Sequence, residues 1–347
     1  MRAVVLEAAR AVPEVREVAD PAVPADGVVV RVEATGLCRS DWHGWAGHDP
    51  DIVFPHIPGH ELAGVIATVG PGVRRWAVGD RVTVPFVCGC GACEWCARGD
   101  AQVCPDQQQP GFTHDGSFAE LVALHAADTN LVAIPDSVDV TAAAALGCRF
   151  ATAYRGLVGR AHLRPEEWVT VIGAGGVGLS AVMIATALGA RVIAVDRNPR
   201  ALALAADLGA AHTLVADGTD IPAAIADLSG GGSHVSVDAV GGEQTAADAI
   251  LSLRRRGRHV QIGLLPAVEG RPRLPMDRVL GWELDVLGSH GMAAVDYPGM
   301  LALIESGALT PQRLIERTIG LTEAAATLPT FDRADVAGMT MIDPSWA

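Results

Sequence analysis

Apolar residues in the first 150 positions come in short runs broken by turn residues: VVVRVEATG from Val28, LAGVIATVG from Leu62, DRVTVPF from Asp80 and SFAELVAL from Ser117. Runs of this length read as strands, and Pro71-Gly72 and Val78-Gly79-Asp80 supply the turns between them. Near residue 165 the pattern changes. WVTVIGAG, RVIAVD, HTLVA, VSVDAV, RHVQIGL and LDVLGSH alternate with helical stretches such as SAVMIATALG and RALALAADLG. Continuous Val and Ile runs at that spacing predict about six parallel strands covered by helices on both faces, a doubly wound sheet. After about residue 290 short helices and turns return, and this tail is expected to pack back against the first unit. The expected organisation is therefore an irregular β-rich domain from 1–150 and 290–347, with an α/β domain from 151–289 inserted in it. Gly230-Gly231-Gly232 is read as a flexible loop.

A length of 347 residues suits two domains, and with half of them hydrophobic two cores are readily filled. Twenty-six basic residues face 40 acidic ones, a net charge of -14, which argues against nucleic acid as a partner because phosphate neutralisation needs clustered Lys and Arg. The start, MRAVVLEAAR, has neither the apolar length nor the small-residue pattern of a signal peptide, and no run approaches a membrane span. Seven cysteines are too few for a disulfide scaffold, and tight C-x2-C spacing favours metal. The expected compartment is a reducing cytoplasm.

Six of those cysteines form two groups. Cys90, Cys93, Cys96 and Cys104 lie in C-x2-C-x2-C-x7-C, so one excursion of the chain can close a tetrahedron of thiolates, the form of a structural zinc site. Cys38, the pair His60-Glu61 and Cys148 are scattered over more than a hundred residues at the edges of apolar runs. Such a set must be assembled by tertiary folding, which suits a metal with one open position. Gly173, Gly175 and Gly178, with Gly176 between them, satisfy G-x-G-x-x-G between an apolar strand and an apolar helix. Glycines there allow a tight turn and close approach of backbone to a pyrophosphate at the helix N-terminus. Asp196, 18 positions after Gly178, stands where a ribose hydroxyl acceptor belongs and favours NAD over NADP, whereas Arg197 beside it offers a partner for a 2′-phosphate.

With GLCRSDWHGW, PHIPGHELAG and LGCRFATAYRG added to these motifs, the chain resembles the zinc-dependent medium-chain alcohol dehydrogenases over essentially its full length. The resemblance implies a GroES-like catalytic domain, a Rossmann domain, NAD as cofactor and two Zn2+ per chain. It implies Cys38, His60 and Cys148 as ligands of a catalytic zinc, with Glu61 as an exchangeable fourth, and Asp41 as the carboxylate orienting His60. Ser40 and His43 match a proton relay that runs with the cofactor ribose. Arg39 matches a residue that pairs with the pyrophosphate, Thr152 and Val177 match positions lining the nicotinamide, and Phe86 matches one facing substrate. Trp42 and Trp45, close after the zinc cysteine, are candidates for aromatic walls of the substrate pocket, at positions that core packing would explain as well.

The implied activity is reversible hydride transfer between an apolar or aromatic alcohol and NAD, with no membrane partner and a homotetramer or dimer by analogy. A polyol or amino-alcohol dehydrogenase of the same superfamily is the alternative, and a nucleotide-sensing zinc protein without turnover is a third. Met339 stands where many relatives carry an arginine that reaches the pyrophosphate. Cys88, just outside the four-cysteine run, is read as a buried or spare thiol. His48, His56, His114 and His290 are read as hydrogen-bonding or surface residues.

Overall fold

The computed structural model describes residues 1–265, 271–333 and 337–346. All six runs of the second texture form strands of one parallel sheet, in the order His212–Val215, Arg191–Asp196, Trp168–Ile172, Ser233–Asp238, Leu253–Gln261 and Asp285–Gly288. The order reverses beside Trp168–Ile172, the first strand in sequence, and so leaves a crevice at its carboxyl end. The central strands are apolar because both faces are covered: Val169, Val171, Val192, Val195, Val235 and Val237 have no exposed surface. Helix Gly176–Ala187 is apolar on nearly every side for the same reason, with Leu179, Val182 and Ile184 all fully buried.

A seven-stranded mixed sheet gathers the first texture. Val28–Leu37 pairs antiparallel with Leu62–Val69, which pairs with Arg81–Thr83 and then Val132–Ala133, while Leu121–Leu124 adds to Val28–Leu37. The tail differs from expectation. Besides short helices it contributes two strands, Ile315–Ile319 and Met339–Ile342, and the second pairs antiparallel with Val28–Leu37. Met339 is thereby buried in the sheet and cannot reach a solvent-facing ligand.

The triple glycine forms the hydrogen-bonded link between a helix and a strand. Gly230 ends helix Ile221–Ser229 in the left-handed conformation, all three glycines have positive φ, and Gly231 N–H donates to Ala226 O while Gly232 N–H donates to Ser229 Oγ. Glycine is favoured there because the three residues between the end of the helix at Ser229 and the strand starting at Ser233 all take positive φ.

One segment joins the two sheets. Residues 146–160 run as helix with π-type turns at Leu146–Phe150 and Arg155–Arg160, and Leu146, Phe150 and Leu157 are fully buried in a cluster that holds Ala34 and Met341 of one sheet and Val169 and Val237 of the other. Burying each such side chain stabilises by about 1.5–3 kcal/mol, so this segment fixes the relation of the sheets as well as its own shape. Cys148 sits on the first π turn, a geometry common at functional sites.

Candidate active site

Cys38, His60, Glu61 and Cys148 converge although they come from a strand end, a loop and the joining helix: one donor atom from each lies within 4.8 Å of all the others, with Cys38, His60 and Glu61 buried and Cys148 half-buried. Cys38 ends strand Val28–Leu37 and precedes helix Arg39–Trp45. In that helix Asp41 turns back: its Oδ2 accepts from Cys38 N–H at 2.8 Å, and its Oδ1 accepts from Gly59 N–H at 3.2 Å and lies 3.0 Å from His60 Nδ1. Asp41 thus caps the helix and holds the imidazole with one carboxylate. With Nδ1 engaged, His60 Nε2 is left as the ligand atom.

That Nε2 is buried and has no hydrogen-bond partner among the described residues. An orphaned nitrogen beside two thiols is costly unless something else binds it, and a divalent cation that takes imidazole and thiolate, zinc above all, satisfies it. The thiols agree. Cys38 is held well below its ordinary pKa by the Cys148 thiol, with His60 and Arg149 assisting against burial, while Cys148 is pushed well above by Cys38 and by burial. The two compete for one negative charge, and a cation between them lets both ionise. Glu61 is differently placed. Its Oε1 accepts from Arg149 N–H at 3.1 Å and from Nε at 2.9 Å, and its Oε2 pairs with Nη2. Burial raises the Glu61 pKa and Arg149 opposes it.

Beside this set the GAGGVG turn leads into helix Gly176–Ala187. Gly173 has a φ of +94, and a Cβ on Gly178 would fall 1.7 Å from Gly173 O, so both positions need glycine. Gly175 precedes the helix, and Val177 is half-buried in its first turn. Asp196 ends its strand with Oδ2 accepting from Ala174 N–H at 2.5 Å and Oδ1 from Asn198 N–H at 2.8 Å, which sets the carboxylate against the turn; Arg197 is exposed. Thr152 is buried one turn after Cys148 and donates to the Cys148 carbonyl at 2.7 Å.

Ser40 Oγ lies 3.8 Å from Cys38 Sγ. His43, one helical turn on, brings its Nδ1 to 2.9 Å from Nδ1 of the exposed His48, so one ring donates and the other accepts. Burial lowers the His43 pKa, and His48 and Arg39 lower it further. Arg39 is exposed, with its guanidinium over Trp42. Phe86 stands 6.0 Å from the His60 ring, and Phe112 stands 5.1 Å from it. Trp42 and Trp45 instead pack against a cluster of Val4, Leu37 and Phe118, and Trp45 Nε1 donates to Ala11 O at 2.7 Å. For Trp45 the packing role is the one the structure gives.

Cys90, Cys93, Cys96 and Cys104 converge as well. Cys93 Sγ is 3.6 Å from Cys96 Sγ and 3.7 Å from Cys104 Sγ, against an edge of about 3.8 Å for a tetrahedron with Zn–S bonds of about 2.3 Å. None is in a disulfide. Cys88 lies outside the set, buried among apolar residues that push its thiol up to about 12.

Three side chains at the site carried no role in the sequence reading: Arg149, His48 and Phe112. Arg149 had a signal, since it is the one charge in the run AAAALGCRFATA, and arginine enters a core only when paired. His48 and Phe112 had none.

Residues 24–136 match the family model described as "Alcohol dehydrogenase GroES-like domain", and 176–306 match "Zinc-binding dehydrogenase". An alcohol dehydrogenase of Geobacillus stearothermophilus is 38% identical over 268 residues, covering 77% of this chain and 78% of its own. Among solved structures, the alcohol dehydrogenase TADH from Thermus sp. ATN1 superposes with a TM-score of 0.89 at 32% identity, covering 99% of both chains. A structure titled as an NAD-dependent alcohol dehydrogenase gives 0.88 at 32%, with the same coverage.

Proposed function

The chain belongs to the zinc-dependent medium-chain alcohol dehydrogenase family, and from that premise we propose that it oxidises an apolar or aromatic alcohol with NAD, reversibly, at the site where Cys38, His60 and Cys148 converge. The orphaned Nε2 of His60 beside the thiols of Cys38 and Cys148 is the observation that carries this reading. Zinc, when bound there, supplies Lewis acidity that brings an alcohol's pKa toward neutrality. The chain supplies the rest. Cys38, His60 and Cys148 would hold the metal with three donors, leaving it open to substrate, and Asp41 keeps the His60 ring oriented.

Ser40 and His43 are this chain's members of the relay that moves the substrate hydroxyl proton outward, and His43 hands it to the exposed His48, whose Nδ1 lies 2.9 Å from its own. The lowered pKa of His43 keeps it neutral, and so able to accept, below the usual histidine range. The GAGGVG turn receives the pyrophosphate, Arg39 adds a cation at its edge, and Thr152 and Val177 border the nicotinamide. Asp196 accepts from the ribose hydroxyls and repels a 2′-phosphate, which selects NAD. Phe86 and Phe112 beside His60 favour apolar substituents, because a polyol would lose water from several hydroxyls without gaining partners, at about 1–3 kcal/mol each.

Cys90, Cys93, Cys96 and Cys104 hold the second, structural zinc. Residues 1–150 and 290–347 form the catalytic domain and 151–289 the nucleotide domain of a cytoplasmic homo-oligomer, a tetramer by analogy. Among the described residues no helix is long and apolar enough to cross a membrane.

Turnover of a panel of alcohols with NAD and NADP, followed by absorbance of the reduced cofactor, tests this. Benzylic or medium-chain alcohols should exceed sorbitol in kcat/KM, and NAD should exceed NADP. A preference for sorbitol would overturn the substrate assignment, and a preference for NADP would overturn the role of Asp196.

A further inference from the structure

Arg149 is only 4% exposed, and its guanidinium faces two ways. Toward the metal donors, Nε and Nη2 pair with Glu61, and the backbone N–H of Arg149 adds a third donor to the same carboxylate. A carboxylate has about four acceptor sites, so Glu61 is nearly saturated and would have to leave Arg149 in part to bind a metal. Toward the nucleotide helix the same guanidinium covers Gly176. A Cβ built there would lie 2.5 Å from Arg149 Cδ and 3.2 Å from Nη1, which gives a reason for glycine at the first residue of that helix. Nη1 takes part in none of the hydrogen bonds that Arg149 makes among the described residues. It is a cationic donor held beside the turn where a pyrophosphate would sit, and the buried ion pair behind it prevents it from swinging into solvent.

We propose that Arg149 is a positioning residue that links the metal donors to the dinucleotide: it keeps Glu61 out of the open metal position and presents Nη1 to the cofactor's pyrophosphate. This rests on the reading of the site as a catalytic zinc beside NAD. One guanidinium then does both tasks. Occupancy of the turn by an anion draws on Nη1 and bears on the grip of Nε and Nη2 on Glu61.

The test uses the full-length protein with zinc in the four-cysteine site and cobalt in the other, and compares wild type, Arg149→Met and Arg149→Met/Glu61→Gln. NAD affinity is read by calorimetry and metal geometry by the visible spectrum of the cobalt. Both variants should bind NAD roughly 10–100-fold more weakly, the scale of one charge-assisted hydrogen bond. The cobalt spectrum should change in Arg149→Met, as the freed Glu61 joins the metal, and return to the wild-type form in the double variant. NAD affinity equal to wild type in the double variant, or an unchanged cobalt spectrum in Arg149→Met, would overturn the proposal. Should Arg149→Met misfold because it strands a buried carboxylate, the double variant, which carries no such charge, decides through its NAD affinity alone. Wild type that binds no NAD, or no metal at His60, fails the underlying reading instead, so the two failures are distinguishable.

Discussion

The two cysteine-containing sites reach the same convergence of donors by opposite routes. Cys90, Cys93, Cys96 and Cys104 lie within one short stretch, three of them half-exposed, and their sulfurs are near neighbours chiefly of one another. Cys38, His60, Glu61 and Cys148 come from distant parts of the chain, the first three of them buried, and are fixed from behind by Asp41 and Arg149. A local set closes on its metal and gains its order from it. A set assembled by the fold is held by the fold, so it can leave a coordination position open without losing its shape. The difference in construction is the physical basis for calling one site structural and the other catalytic.

The comparison breaks most visibly at the four-cysteine site. Cys96→Ser removes one of four thiolates from a shell whose metal binding is itself folding energy, on the order of 10 kcal/mol for structural zinc. The thermal midpoint should fall by many degrees, while NAD affinity of whatever remains folded should stay near wild type. A variant with an unchanged midpoint and a full complement of zinc would remove the structural role. A smaller effect is expected where the assembled site meets solvent. General acid-base assistance is worth about 10²–10⁴-fold, so His43→Ala should slow alcohol oxidation by that order with zinc retained. The sign of its pH dependence follows from the lowered pKa of His43, which burial causes and His48 and Arg39 reinforce. The wild-type advantage should be widest near neutral pH, where His43 is uncharged, and should close as pH falls below 6.5 and the ring takes up a proton. Parallel pH profiles for the two proteins would take His43 out of the relay.

Much of this was legible in the sequence where a motif is local. The six parallel strands follow from continuous Val and Ile runs, the nucleotide turn from glycine spacing, and the four-cysteine site from its own intervals. What the sequence hid was long-range. Strands Ile315–Ile319 and Met339–Ile342 are short, the first is charged at its centre and pairs with the second, and the second's partner Val28–Leu37 lies some three hundred residues earlier. Arg149 looked like a lone charge in an apolar run because Glu61, 88 positions away, neutralises it only in the folded chain. Trp45 illustrates the reverse error. Nearness in sequence to Cys38 made it a pocket candidate, but its indole faces Ala11 and the core. The triple glycine had the composition of a loose loop and the conformation of a helix stop, because positive φ at consecutive positions serves both.

Zinc counted per chain in wild type and in Cys38→Ala, together with the thermal midpoint of each, tests the division of labour most directly. Wild type should hold two zinc ions. Cys38→Ala should hold one, unfold within a few degrees of wild type, and have no measurable alcohol oxidation. A Cys38→Ala protein that keeps both ions and its activity, or that loses its fold along with its zinc, would contradict the claim that the fold holds an open catalytic site while the four-cysteine site holds the fold.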